Sequence, residues 1–356
     1  MHRMPKSIDD LETPCVVIDI DRVEANLKRG QAKADALGVA LRPHIKTHKI
    51  PRFAQLQVGL GAVGITVQKL GEAEVMADAG LTDMLLTYNI VGAKKLARLR
   101  ALNERVVLKV VADSPDTVMG YAQTFADANK PLTVLVECDT GLGRCGVQTA
   151  AQALALARQI VMSPGLAFGG LMTYPAAGKI EQSDTWLATA INLLDDAGFD
   201  CPVVTGGNTP DLYRLEKSVV TEIRPGTYIY NDRGQVSLGA ATWDDCALTV
   251  LTTVVSRPTA NRIVIDAGSK SLTSDLFGLT GYGVVMGDTT IAVKSLSEEH
   301  GVIELDVPND RPRIGDRIRI IPNHACPVSN LHDEVHLIAG RDWLESVPVA
   351  ARGKTV

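Results

Sequence analysis

Val39-Ala40-Leu41-Arg42-Pro43-His44-Ile45-Lys46-Thr47-His48-Lys49 is the stretch that decides how the rest of the chain is read. Residues 39–44 read as a short strand, and a helical pattern follows the segment. Lys46 therefore falls near the C-terminal end of a predicted strand, where barrel enzymes keep their chemistry. A lone lysine is ordinarily a solvated surface group. Here three cations and two histidines share positions 42–49, and Arg42, His44, His48 and Lys49 surround Lys46 in sequence. Positive neighbours favour the neutral amine of a lysine, the form that attacks a carbonyl carbon. A nucleic-acid patch is the other reading of such a cluster, but no aromatic residue interleaves with it.

Outward from this strand, apolar and β-branched runs recur at 62–67, 83–88, 105–111, 132–137, 167–173, 202–205 and 221–224, which makes eight strands. Between them, residues 71–78, 93–102, 150–161 and 184–196 place apolar side chains at helical spacing. Eight strand–helix units predict an α/β fold of the (β/α)8 TIM-barrel type. A doubly wound open sheet is the alternative, and it usually stops at about five to seven strands. A helix is expected at 22–37 and a strand at 14–20. Beyond residue 245 the pattern changes to strands at 247–255, 262–266, 291–295, 302–305, 317–321 and 335–338, with no long helix between them. The expected organisation is a barrel over 21–245 and a β domain built from 1–20 and 246–356.

The chain has 356 residues, 46% of them hydrophobic, which is enough for a large domain and a smaller one. A net charge of −5 gives no global case for binding nucleic acid. No apolar run reaches membrane-span length, and residues 1–10 lack the apolar core of a signal peptide. The cysteines at 15, 138, 145, 201, 246 and 326 include no C-x-x-C pair. Together these features predict a cytoplasmic enzyme with reduced thiols and no nucleic-acid or membrane partner.

Further segments carry candidate chemistry. Gly141-Leu142-Gly143-Arg144-Cys145-Gly146 follows a strand and matches G-x-G-x-x-G. A dinucleotide site also needs an acidic residue about twenty positions on. None occurs between Asp139 and Glu181. The loop instead sets Arg144 at the mouth of the fifth barrel strand. Thr205-Gly206-Gly207-Asn208-Thr209 follows the seventh strand, and Arg224-Pro225-Gly226-Thr227-Tyr228 follows the eighth. Small residues after these two strands match the common phosphate site of barrels, where glycine exposes backbone N–H groups to an anion. A phosphate site beside an activated lysine points to pyridoxal 5′-phosphate, which carries both a phosphate and an aldehyde. In the β domain, Pro322-Asn323-His324-Ala325-Cys326-Pro327 reads as extended chain with His324 and Cys326 on one face. Imidazole and thiolate suit zinc or a similar divalent ion, although an isolated H-x-C is usually coincidence.

These segments together resemble the alanine-racemase-like (fold type III) pyridoxal-phosphate enzymes, in the branch containing D-threonine aldolase and D-serine dehydratase. The resemblance runs from L-x-T-P at 11–14 through R-P-H-I-K-T-H-K at 42–49, G-x-G-R-C-G at 141–146, T-G-G-N-T at 205–209 and R-P-G-T-Y at 224–228. It continues to D-A-G at 266–268, E-E-H-G at 298–301, P-N-H-x-C at 322–326 and A-R-G at 351–353.

The resemblance implies roles. Lys46 takes the cofactor aldehyde covalently, and Arg144 meets the cofactor's phenolic oxygen. Gly206, Gly207, Asn208, Gly226, Thr227 and Tyr228 hold its phosphate. Tyr174 sits by the ring, Gln68 faces it, and His324 with Cys326 binds a divalent metal (manganese, magnesium or zinc). The implied substrate is a D-3-hydroxy amino acid, the implied assembly a homodimer, and the implied reaction the cleavage of D-threonine to glycine and an aldehyde. A dehydratase giving an oxoacid and ammonia is the alternative. Cys326 leans toward it, because aldolases of this branch commonly carry H-x-D. The loop 174–178 also lacks a histidine that several aldolases place after the tyrosine. The tail 347–353 and the block 299–301 lean toward the aldolase. A non-catalytic cofactor carrier would need no metal pair, and a racemase would need a second acid/base, which Tyr174 or a β-domain residue could supply.

Overall fold

The computed structural model describes residues 4–356. The chain divides into two compact units. One contains Gly30–Lys46, Pro51–Gly226 and Lys354–Val356; the other contains the residues up to Arg29, Thr47–Ile50 and Thr227–Gly353.

Strand β1 (Cys15–Asp19) and helix α1 (Ile20–Leu37) come first. Eight parallel strands follow: β2 (Ala40–Leu41), β3 (Ile65–Val67), β4 (Asp83–Leu86), β5 (Val107–Ala112), β6 (Leu132–Cys138), β7 (Leu166–Thr173), β8 (Val204–Gly206) and β9 (Glu222–Ile223). Their spatial order is β2-β9-β8-β7-β6-β5-β4-β3. The two ends of that order also meet. Thr66 N–H donates to the Pro43 carbonyl at 2.8 Å and Val63 N–H to Leu41 at 2.9 Å, and His44 bridges Thr66 in parallel. Sequence neighbours are thus ladder neighbours around a ring, which is the TIM-barrel arrangement expected from the strand count.

Helices α2 (Pro51–Gly59), α3 (Leu70–Asp78), α4 (Ala93–Arg105), α5 (Pro115–Phe125), α6 (Ala150–Met162) and α7 (Ile180–Asp196) fill the connections. Their starts are encoded locally. Ser114 caps α5 ahead of Pro115, and Thr149 with Gln152 forms a reciprocal box at the start of α6. Helix α6 buries Ala153, Leu154, Leu156, Ala157 and Ile160, a stripe at three- and four-residue spacing. The connection from β8 to β9 departs from the expected strand–helix repeat, because it contains no helix. Asn208 and Asp211 bond each other instead, backbone to side chain at 2.8 Å and side chain to side chain at 3.0 Å, and fold the segment into turns.

Leu85, Val111, Leu135 and Met172 form one apolar cluster across β4 to β7, with Val203 packed against it. Beside it runs a polar network. Lys109 Nζ lies 3.3 Å from Asp83 Oδ1, and Arg42 Nη1 lies 2.6 Å from the same oxygen. Arg42 Nε donates to Glu222 Oε2 at 2.7 Å, and Thr205 Oγ1 donates to Glu222 Oε1 at 2.8 Å. Arg224 then donates to Thr205 Oγ1 and to the Thr173 carbonyl, each at 2.6 Å. Buried charges persist only when paired in this way.

The second unit is built on a nine-stranded sheet. Its remaining strands are β10 (Leu248–Thr259), β11 (Arg262–Ile265), β12 (Gly283–Val285), β13 (Asp288–Leu296), β14 (Gly301–Glu304), β15 (Arg317–Pro322), β16 (Glu334–Ala339) and β17 (Asp342–Pro348). Strand β1 pairs antiparallel with β10 and parallel with β16, so the N-terminal strand joins the β domain as expected. Ile8, Leu11, Cys15, Val17, Leu251 and Ile338 form its main core cluster, with Trp343 packed against it. Burying an aliphatic side chain of this size stabilises by about 1.5–3 kcal/mol. Three short helices, α8 (Arg233–Ser237), α9 (Ser269–Leu272) and α10 (Ala325–Leu331), lie between the strands in sequence. Among the described residues no helix is long and apolar enough to cross a membrane.

Candidate active site

The chain leaves β2 through Arg42 and Pro43 and turns once at Ile45–Thr47. The Lys46 N–H donates to His44 Nδ1 at 3.4 Å, so His44 donates from Nε2 to Gln68 Oε1 at 3.0 Å. Gln68 is fixed in turn. Its Nε2 donates to the Thr87 carbonyl at 2.9 Å, and its backbone N–H donates to Glu72 Oε2 at 2.8 Å. Lys46 itself is half-buried. Its Nζ lies 5.9 Å from the centroid of the Tyr174 ring, and Arg144 Cζ lies 5.2 Å from the same centroid. The barrel thus gathers Lys46, Arg144 and Tyr174 around one aromatic ring, with Gln68 held through His44.

Arg144 is placed by a loop that closes on its own strand. Asp139 N–H donates to Val147 O at 3.1 Å, and Val147 N–H donates to Glu137 O at 2.8 Å. The Asp139 carboxylate accepts the N–H groups of Gly141 and Gly143 at 3.0 and 3.1 Å. Burial would raise the Asp139 pKa, but these bonds hold it below the usual carboxylate range. Gly146 has a φ of +124°, and a Cβ there would lie 2.3 Å from Asp139 N. Only glycine fits. Glu137, buried at the end of β6, is pushed up to about 7 by burial and by Asp113, against the pull of Arg144 and Arg224.

The expected phosphate residues fall into three groups. Gly206 ends β8, and Gly207 follows it with a φ of +80°. Among the described residues the N–H groups of Gly207 and Asn208 donate to no acceptor. A Cβ on Gly206 would meet Val220 Cγ1 at 3.0 Å, so a side chain there would require Val220 to shift. The Asn208 side chain is committed elsewhere, to the Pro175 carbonyl at 3.2 Å and to Asp211, which leaves its backbone for an anion. The Gly226 N–H is occupied, donating to Thr209 Oγ1 at 3.1 Å. Thr227 and Tyr228 form a single turn in the second unit, with Tyr228 buried. Arg224, which sequence reasoning passed over as part of a glycine turn, is buried to 4% exposure. Burial pulls its guanidinium down to about 10, while Glu222 and Glu137 oppose the fall.

In the second unit the residues expected to bind metal stand differently from their expected geometry. Residues 322–327 are not an extended strand. Strand β15 ends at Pro322, His324 is the N-cap of α10, and Cys326 lies in that helix's first turn. Pro327 ends strand pairing but is tolerated in a first helical turn, where its missing N–H costs nothing. The helix still keeps the pair close, since among its neighbours Cys326 does most to raise the His324 pKa. Cys326 Sγ lies 3.2 Å from Thr47 Oγ1 and 3.6 Å from Thr227 Oγ1. Either atom of each pair can be the donor. His324 Nδ1 lies 2.7 Å from Asp275 Oδ2. Burial alone would lower the His324 pKa, but Cys326, Asp275 and Asp232 raise it to about 9. Asp275 is 49 positions away in sequence, and no motif pointed to it. No cluster of three or more His, Cys, Asp or Glu side chains that could hold a metal occurs among the described residues.

Comparison with known proteins covers the whole chain. Residues 18–234 match the family model for the alanine racemase N-terminal domain, and residues 247–338 match that for a serine dehydratase domain. The chain is 34% identical to D-threonine aldolase of Arthrobacter sp, over 96% of this chain and 93% of that one. It is 32% identical to D-threo-3-hydroxyaspartate dehydratase of Delftia sp. (strain HT23), over 91% of this chain and 93% of that one. The crystal structure of D-threonine aldolase from Filomicrobium marinum superposes with a TM-score of 0.91 at 31% identity, covering 100% of both chains. A cysteine-to-alanine mutant of D-threo-3-hydroxyaspartate dehydratase, solved in a metal-free form, superposes with a TM-score of 0.86 at 30% identity, covering 95% of this chain and 98% of that one.

Proposed function

The chain belongs to the D-threonine aldolase and D-serine dehydratase branch of the alanine-racemase-like (fold type III) pyridoxal-phosphate enzymes, and we propose that within this lyase branch it cleaves D-threonine and related D-3-hydroxy amino acids to glycine and an aldehyde. The observation that carries the reading is the end-to-end match to D-threonine aldolase, with 100% of both chains covered at a TM-score of 0.91.

The residues fit the cofactor. Gly207 and Asn208 offer backbone N–H groups without acceptors. Lys46 offers an amine, and Arg144, near the same Tyr174 ring, offers a cation for a phenolic oxygen. Gln68 and His44 fix the backbone and neighbours of Lys46 rather than taking part in bond breaking. The residues also fit a divalent cation, because the imidazole of His324 and the thiol of Cys326 lie at the start of one helix, two positions apart. Bound pyridoxal phosphate supplies a sink for electrons released at the substrate's Cα, and a divalent cation supplies Lewis acidity toward a hydroxyl. With the cofactor bound, Lys46 Nζ would hold its aldehyde carbon and would accept or return a proton at the substrate. Thr47 and Thr227 place their hydroxyls against Cys326 Sγ, where they would support a sulfur ligand to the cation. The same reading includes a homodimer, which light scattering at working concentration tests.

D-Threonine turnover separates the two outcomes. The expected products are acetaldehyde and glycine. Appearance of 2-oxobutyrate and ammonia would reject the aldolase in favour of the dehydratase, which the cysteine at 326 supports.

A further inference from the structure

We propose that Asp275 is the positioning residue of the metal site. It accepts the Nδ1 proton of His324, so that Nε2 is left as the donor to the cation. The proposal rests on His324 and Cys326 holding a divalent metal, and it explains an otherwise costly loop.

Asp275 Oδ2 lies 2.7 Å from His324 Nδ1, and Asp275 Oδ1 accepts the Phe277 N–H at 2.9 Å. Both carboxylate oxygens are thereby directed. A carboxylate only accepts, so the nitrogen facing it carries the proton. Bonding of this kind fixes the tautomer and raises the basicity of the ligating nitrogen. The loop that carries Asp275 stores strain to do so. Thr273 has a φ of 64° and Phe277 a φ of 51°, a region that a bulky side chain rarely enters. Strain of about 1–3 kcal/mol per such residue persists only where surroundings impose it. The surroundings here are the histidine itself. The Phe277 ring tilts against the His324 ring with centroids 4.7 Å apart. It also occupies the space a Cβ on Gly234 would need, at 2.5 Å. On the other side, Asp232 is buried and committed to the N–H groups of Ala325 and Gln235 at 2.8 and 2.9 Å. Asp232 therefore fixes the start of α10 from below, and the loop 273–277 fixes the imaginable rotation of the ring. Asp275 is the one of these two carboxylates that bonds the imidazole.

The test is zinc affinity of the cofactor-loaded protein, measured by competition with a fluorescent chelator. Asp275→Ala and Asp275→Asn should each bind zinc about 10–100-fold more weakly, the scale set by losing an outer carboxylate. Asp275→Asn should lose at least as much as Asp275→Ala. Its Oδ1 keeps the Phe277 N–H, its amide then donates to Nδ1, and the histidine proton is driven onto Nε2. Asp275→Glu should recover part of the affinity. Wild-type affinity in Asp275→Ala or Asp275→Asn overturns the proposal. Should these variants fail to fold, nitrogen NMR of the zinc-loaded wild type with labelled histidine decides. A proton on Nδ1 and the metal on Nε2 of His324 are expected, and the reverse overturns it. If the wild type binds no zinc while a Cys326→Ala variant behaves identically, the metal reading itself fails, and with it this inference.

Discussion

Arg42 Nε lies 2.7 Å from Glu222 Oε2, and both side chains are buried. The pair joins the first barrel strand to the last and is the middle of a chain of polar contacts from Lys109 to Arg224. Removing one member leaves charge without its partner in low dielectric, which costs about 3–5 kcal/mol. Glu222→Ala should therefore lower the urea midpoint sharply at an unchanged m-value. A loss under about 1 kcal/mol would show that water reaches this network.

Glu137 makes stability pH-dependent in a direction opposite to that of most carboxylates. Its folded pKa, about 7, stands above the ordinary 4.5 because of burial and Asp113. Between these two values the unfolded chain has released the proton and the folded chain retains it. Stability is therefore full below about 4.5, falls as pH rises, and has lost up to about 3 kcal/mol by pH 7. Glu137→Gln should flatten this slope in the cofactor-free protein. Denaturation midpoints at several pH values check it, and an unchanged slope assigns the proton to another group.

Gly146 is the hinge of the loop that carries Arg144. Its φ of +124° and the 2.3 Å approach to Asp139 N leave no room for a methyl group. Gly146→Ala should displace the loop, weaken pyridoxal-phosphate binding at least tenfold and leave the melting temperature within a few degrees, because the loop is exposed on one side. Equal affinity in the two proteins would separate Arg144 from the cofactor.

The barrel was legible because its strands are short apolar runs, most of them set off by a helix pattern, and all eight were found within a few residues of β2 to β9. Strand β12, only three residues long between glycines, and strand β17, an edge strand reading Asp-Trp-Leu-Glu-Ser-Val-Pro, carry no such run and escaped notice. The geometry at 324–326 was misread because a proline after H-x-C was taken as part of an extended segment, when it also fits a first helical turn. Lys46, Arg144 and Tyr174 meet in space because each lies in the segment that follows a barrel strand, β2, β6 and β7 respectively. Asp275, Arg224 and Glu137 act through tertiary neighbours, and spacing along one chain does not encode those.

Lys46 gives a covalent test that does not depend on which bond is broken. Borohydride reduction of the cofactor-loaded protein should fix the cofactor to the peptide containing Lys46, as read by mass spectrometry. Lys46→Ala should take up no covalent label and lose turnover by several orders of magnitude, because in the proposed role the same Nζ both binds the aldehyde and moves the proton. Labelling at Lys49 instead, which has a φ of 56° and is buried, would move the assignment three residues along.

Cys326 offers the sharpest change of metal preference. A thiolate is a soft ligand and favours zinc, while a carboxylate is hard and favours manganese or magnesium. Thr47 Oγ1 at 3.2 Å and Thr227 Oγ1 at 3.6 Å from Sγ are donors that serve a carboxylate as well as a sulfur. Cys326→Asp should therefore fold, keep a cation, and shift the ratio of zinc to manganese affinity toward manganese by at least about tenfold, a free-energy change of about 1.4 kcal/mol. Cys326→Ala should weaken both metals, because the hydroxyls then have no anion to support. A ratio that stays fixed in Cys326→Asp would mean that the sulfur is not a ligand, and that His324 with its Asp275 partner binds the cation through other groups.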